Sequence, residues 1–215
     1  MRMKKNYKFI LFDWDGCLAK TLDTWFNAMK SRLAKNGIIL SDIEIANGFG
    51  DWQFGLKVGI KDNEKFVKEI VEEVNIKLKD VRLYPNAIKL IEELKKRNKK
   101  IALVTTSIRS SVMPALDKFK LKQKFDVILT AEDVTKHKPD PEVVLKALNL
   151  LNANTDETLI MGDGPKDVMA GKSAGIATVS FYPAENKLYY SKNQIKSYEA
   201  DYVILDLLDL LKIVG

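Results

Sequence analysis

From Tyr84-Pro85 onward the chain alternates helix-length stretches with short apolar runs, and this alternation restricts the fold more than any other feature. Helices are expected over 87–97, 111–119 and 141–150, after Pro165, and at the C-terminus. Strands are expected over 100–105, 125–129, 158–161, 177–180 and 202–205. An earlier apolar run, Phe9-Ile10-Leu11-Phe12, has the composition of a strand buried on both faces. Strands that alternate with helices build a mostly parallel, doubly wound sheet, an α/β fold of Rossmann-like architecture. Residues from about 21 to 79 carry no strand pattern. Helices are expected there over 22–35 and 63–78, with turn residues at Asn47-Gly48-Phe49-Gly50-Asp51-Trp52. A small helical insert between the first two strands follows, dividing the chain into a core of 1–19 and 83–215 and an insert of 20–82.

Open parallel sheets bind ligands outside the carboxyl ends of their strands, so the residues at those ends are the candidates for chemistry. The first strand ends in Asp13-Trp14-Asp15-Gly16. Two carboxylates one residue apart can divide labour, Asp13 as nucleophile and metal ligand, Asp15 as proton donor and acceptor. The same tetrapeptide also opens calcium loops, but Cys17, Leu18, Ala19 and Leu22 supply none of the further oxygen ligands such a loop requires. The strand at 100–105 ends in Thr105-Thr106-Ser107, which places a hydroxyl and free backbone amides at the same sheet edge as Asp13, groups that can hold phosphoryl oxygens; an ordinary helix cap is the competing role. Lys138 lies in Lys136-His137-Lys138-Pro139-Asp140-Pro141, where the following proline keeps it out of helical geometry and leaves it able to reach inward, with Lys136 as competitor. The strand at 158–161 runs into Gly162-Asp163-Gly164-Pro165-Lys166-Asp167, two acids four residues apart at the start of a helix.

Composition removes several alternatives. Cys17 is the only cysteine and His137 the only histidine, so there is no intrachain disulfide, no cysteine zinc site and little prospect of a Ser-His-Asp triad. A metal here must be held by oxygen. The net charge of +6 comes from lysines dispersed among acids, as in Glu92-Glu93-Leu94-Lys95-Lys96-Arg97, which reads as solvated helix faces rather than a nucleic-acid surface. No apolar run is long enough to span a bilayer, and Asp13 and Asp15 interrupt the segment where a signal peptide would be uncharged. A cytoplasmic protein, monomer or homodimer, without membrane or nucleic-acid partners, is the expectation.

Taken together, the four strand-end motifs resemble those of the haloacid dehalogenase superfamily of phosphohydrolases, over essentially the whole chain, with the helical insert similar to that family's cap. The resemblance implies that Asp13 becomes an aspartyl phosphate and that Asp15 is the general acid and base. Thr105 and the Thr106 amide would bind the transferring phosphoryl group, and Lys138 would stabilise its charge. Mg²⁺ would be held by Asp163, the Asp13 carboxylate and the Asp15 main-chain carbonyl, supported by Asp167. The substrate implied is a small phosphorylated metabolite such as phosphoglycolate. Relatives often carry an acid followed by a hydroxyl residue shortly after the first motif, where this chain has Lys20-Thr21, and commonly have threonine where Cys17 stands; a packing role is expected for Cys17. A β-phosphoglucomutase-like sugar-phosphate mutase shares the core, but those relatives usually carry histidine at the position matching Trp25. A true dehalogenase normally lacks the second aspartate, and a non-catalytic phosphate binder would be expected to lose some of the four motifs. Lys20, Trp25, Phe49, Asp51, Trp52 and Lys57 are the insert's candidates for substrate selection, Trp52 foremost as a residue lining the opening.

Overall fold

In the computed structural model, residues 6–48, 51, 53–78 and 81–215 are described. They form a six-stranded parallel sheet in the order β3-β2-β1-β4-β5-β6, with β1 Phe9–Phe12, β2 Lys100–Val104, β3 Val127–Leu129, β4 Thr158–Gly162, β5 Ala177–Phe181 and β6 Tyr202–Ile204. The order reverses at β1, which pairs with β2 on one side and β4 on the other. The register sets Phe12 beside Leu103 and Met161, so the residues following these three strands emerge at one level of one sheet edge. Side chains of β1 alternate between two buried layers. Ile10 and Phe12 pack into the larger core, whereas Leu11 joins Ala102, Val104, Val143, Val144 and Ile160 in the layer under α7 Glu142–Leu151 and α8 Pro165–Ser173.

The helix-and-strand grammar expected from 84 onward is the one observed. The remaining core helices are α5 Ala87–Lys96, α6 Arg109–Lys118, α9 Lys192–Ser197 and α10 Leu210–Ile213. Strand β3 is shorter than the expected 125–129, because the Lys122–Lys124 turn carries Phe125 into the core before pairing begins at Val127. Helix α9 had no counterpart in the sequence reading. Its six residues carry one buried side chain, Ile195, and its start is fixed by a reciprocal capping box between Ser191 and Gln194.

Between β1 and α5 lie α1 Leu22–Lys35, α2 Asp42–Asn47, α3 Phe54–Lys57 and α4 Asn63–Lys77. Helices α1 and α4 pack on each other; α1 buries Leu22, Phe26, Ala28 and Leu33, α4 buries Phe66, Ile70 and Val74, and the Phe26 ring also meets Tyr189 of the core with centroids 5.3 Å apart. The two passages of chain that join the insert to the core run antiparallel: the Lys20 amide donates to the Arg82 carbonyl at 2.8 Å and the Tyr84 amide to the Leu18 carbonyl at 2.9 Å. Among the described residues no helix is long and apolar enough to cross a membrane.

Candidate active site

Asp13 leaves the end of β1 with its amide bonded to the Met161 carbonyl at 2.9 Å, which fixes its side chain at the sheet edge. Its carboxylate is buried with those of Asp163 and Asp167, and one oxygen from each of the three can lie within 4.8 Å of the others. Lys138 enters this cluster from the loop after β3. Its Nζ donates to Asp13 Oδ1 at 2.8 Å, Asp167 Oδ1 at 2.6 Å and the Val104 carbonyl at 3.0 Å, so all three of its protons have acceptors. The competitor Lys136 is exposed and lies 3.9 Å from Asp140, and His137 is exposed as well.

Three acids and one lysine removed from water perturb one another. Burial, reinforced by the Asp167 charge and opposed by Lys138, pushes the Asp13 carboxyl up to about 7 in the metal-free protein. Burial likewise drives Asp163 well above the carboxylate range, with the Asp13 and Asp167 charges adding to it. For Lys138 burial works downward, but the Asp13 and Asp167 carboxylates outweigh it and the ammonium is held above the ordinary lysine range. With all three carboxylates ionised, the cluster would carry more negative charge than one ammonium can balance.

The donor set answers to a hard divalent cation. Asp163 Oδ2 is buried without a hydrogen-bond partner, which is costly unless a charge meets it. The space beside it is kept open by Gly16, whose φ of +70° suits glycine and whose Cβ, if present, would lie 2.3 Å from that same oxygen. At Gly162 a Cβ would fall 2.1 Å from Asp167 Cγ, so the absence of a side chain there lets Asp167 lie against the end of β4. Three carboxylates are ligands of the kind Mg²⁺ takes.

Asp15 points elsewhere. Its Oδ1 accepts from Trp25 Nε1 at 3.0 Å, and its Oδ2 accepts from the Ser107 hydroxyl. The loop that carries it is held by Asn186, which donates from Nδ2 to the Gly16 carbonyl at 3.0 Å and accepts the Tyr84 hydroxyl. A cavity of about 150 Å³ opens over these groups, reached by Asp13, Asp15, Thr106, Ser107, Lys138, Asp163 and Asp167 from the core. Thr105 stands just behind this wall, buried, with its hydroxyl accepting the Ser107 amide at 3.0 Å, while Thr106 and Ser107 face the cavity.

Of the insert's candidates, Trp25 and Asp51 line the cavity. Lys20 turns to Glu185, at 2.8 Å, and Lys57 to Asp51, at 2.7 Å. Phe49 and Trp52 lie outside the described residues. Cys17 is buried with its thiol 3.4 Å from the Met161 carbonyl, a packing position. The sequence reading missed the part played by Ser107 and did not foresee Tyr190, whose hydroxyl bonds Asp163, or Lys166, which lines the cavity beside Asp167. Tyr190 stands 27 positions beyond the acid it bonds, and no spacing rule joins two such residues.

The family model described as haloacid dehalogenase-like hydrolase matches residues 10–181, from β1 to the last residue of β5. The chain belongs to the haloacid dehalogenase-like hydrolases. Within that family it is 37% identical over 154 residues to the pyrophosphatase PpaX of Bacillus mycoides, covering 71% of this chain and 65% of that one. It is 30% identical over 214 residues to the PpaX of Oceanobacillus iheyensis, covering 98% of each. Several matches to PpaX proteins thus span less than two thirds of the relative's length, while others run end to end. A crystal structure from Lactobacillus plantarum, provisionally named phosphoglycolate phosphatase, superposes with a TM-score of 0.84 over 97% of this chain and 99% of that one; at 21% identity the likeness is one of fold.

Proposed function

We propose that this haloacid dehalogenase-like enzyme is a Mg²⁺-dependent phosphohydrolase that acts on a small phosphorylated metabolite through an aspartyl phosphate on Asp13. The observation that carries this reading is the buried cluster of Asp13, Asp163, Asp167 and Lys138, which lines a cavity and holds an unpartnered carboxylate oxygen. Asp13, Asp163 and Asp167, with the Asp15 main-chain carbonyl, would hold the cation. When bound, it offsets the repulsion between these acids and an anionic substrate and polarises the phosphoryl group.

The chain's own residues then divide the reaction. Asp13 attacks phosphorus while Asp15, protonated, gives its proton to the departing oxygen, so the P–O bond breaks as the aspartyl phosphate forms. Asp15, now ionised, takes a proton from the water that attacks the phosphoaspartate, releasing orthophosphate and restoring Asp13. Lys138 neutralises charge on the transferring group, Thr106 and Ser107 face it with their hydroxyls and amides, and Thr105 stands behind them, its hydroxyl holding the Ser107 amide. The helical insert acts as a cap over the leaving group.

Phosphate release from p-nitrophenyl phosphate and a panel of small phosphorylated metabolites, with and without Mg²⁺, tests the reading. Metal-dependent release that falls on the order of 10³-fold or more in Asp13→Asn is expected. Transfer of the phosphoryl group between sugar positions without release of phosphate would favour the mutase.

A further inference from the structure

Beyond the end of β5 the core chain runs along the root of the insert. Glu185 accepts from Lys20 at 2.8 Å, and the Tyr189 hydroxyl donates to Asp23 of α1 while its ring lies against Phe26. Between these two anchors Asn186 is wholly buried, a costly place for a carboxamide unless both of its ends are used. Asn186 uses both. Nδ2 donates to the Gly16 carbonyl at 3.0 Å and Oδ1 accepts from the Tyr84 hydroxyl, partners 170 and 102 residues away in sequence. The Gly16 carbonyl can only accept, so it dictates which end of the amide faces it. Gly16 leads into one of the two passages that join insert and core, and Tyr84 closes the other, its amide on the Leu18 carbonyl. One buried side chain therefore ties both passages together.

The peptide that this grip fixes needs fixing from outside. Glycine has no side chain to restrict its backbone, so the turn at Gly16, with φ of +70°, is not held by its own conformational preference. Its amide is held within the loop by the Ala19 carbonyl at 2.9 Å, and its carbonyl is held by Asn186. Rotation of that peptide would carry the neighbouring Asp15 with it and draw its carboxylate away from Trp25 and Ser107. On the reading that the protein is a phosphohydrolase with Asp15 as its acid and base, we propose that Asn186 is a positioning residue for the reaction, which locks the Gly16 peptide and so sets where the Asp15 carboxyl stands relative to the leaving oxygen. Asn186 is not one of the residues that line the cavity. Its effect on the rate passes through Asp15.

The test compares kcat/KM of wild type, Asn186→Leu and Tyr84→Phe in saturating Mg²⁺ on phenyl phosphate and on p-nitrophenyl phosphate. The two esters are similar in shape, but the phenyl leaving oxygen is the more basic and depends more on a proton from Asp15. Leucine keeps the volume of Asn186 and removes both hydrogen bonds, whereas Tyr84→Phe removes one and leaves the Gly16 carbonyl held. In Asn186→Leu, kcat/KM on phenyl phosphate should fall about tenfold or more and on p-nitrophenyl phosphate by less than about threefold, as expected for a displaced proton donor. Tyr84→Phe should keep both values within about threefold of wild type. Unchanged values in Asn186→Leu, losses of equal size on the two esters, or an equal loss in Tyr84→Phe would overturn the assignment while leaving the phosphohydrolase intact. Absence of release from either ester by wild type would instead overturn both. Asn186→Ala, checked for folding by circular dichroism, provides the same comparison if the leucine variant fails to fold.

Discussion

Both carboxylate oxygens of Asp15 accept from donors of different kinds: the indole of Trp25 can only donate, whereas the Ser107 hydroxyl can donate or accept. The indole therefore fixes the carboxyl plane in either protonation state, and the hydroxyl can reverse its role when Asp15 carries a proton. Trp25→Phe keeps the aromatic surface and removes the donor. Loss of one hydrogen bond to a charged group predicts a fall in kcat of about tenfold for alkyl phosphates, whose leaving oxygens need a proton, and a smaller fall for p-nitrophenyl phosphate. A structural role alone would lower both alike, so the slope of rate against leaving-group pKa is the measurement. Asp13, Lys138 and Asp163 were legible because each follows an apolar run or precedes a proline, local signals that survive without a fold. The bond between Trp25 and Asp15 was not, since a donor's target depends on how α1 lies against the core. Thr105 was placed at the right strand end, but its hydroxyl is turned to its own loop, where it accepts the Ser107 amide.

Among the elements, those with a strong period were found closest to their true limits. The expected helix over 22–35 is α1 itself, and 63–78 differs from α4 by one residue. Helices α2 and α3, of six and four residues, are too short to display a 3.6-residue period; a capping box between Ser41 and Glu44 starts α2, and α3 has no side-chain cap and packs on α4. The insert's stability rests on the face shared by α1 and α4, so Leu33→Ala, which empties a site with 1% exposure, should cost about 2–5 kcal/mol. Because the insert joins the core through two short passages of chain, that loss should fall mainly on the insert. Hydrogen exchange should speed up in α1 and α4 by a larger factor than in β1, β2 and β4. Equal acceleration in all of them would mean that insert and core unfold as one unit.

At the scale of the molecule, the switch in strand order at β1 is what brings distant acids together. Asp13 follows β1, Asp163 and Asp167 follow β4, and the two strands are adjacent although their sequences are about 150 residues apart. Gathering these acids has a thermodynamic consequence. The Asp13 carboxyl sits at about 7 in the folded, metal-free protein against 3.8 for the free group, so the folded state binds more protons than the unfolded chain between those values. The sign is therefore the reverse of a salt-bridged aspartate: this contribution is present below about pH 4 and is lost as pH rises through 7. A divalent cation competes with the same proton, because a carboxylate ligand must be ionised. The increase in Tm produced by saturating Mg²⁺ is thus expected to be larger at pH 8 than at pH 5.5, and this titration should make the metal-free protein melt lower at pH 8 than at pH 5.5. In Asp13→Asn both differences should shrink, since the amide does not titrate. Scanning calorimetry at the two pH values, with Mg²⁺ and with EDTA, measures all of these together; a metal-induced shift independent of pH would show that Asp13 does not exchange its proton for the cation.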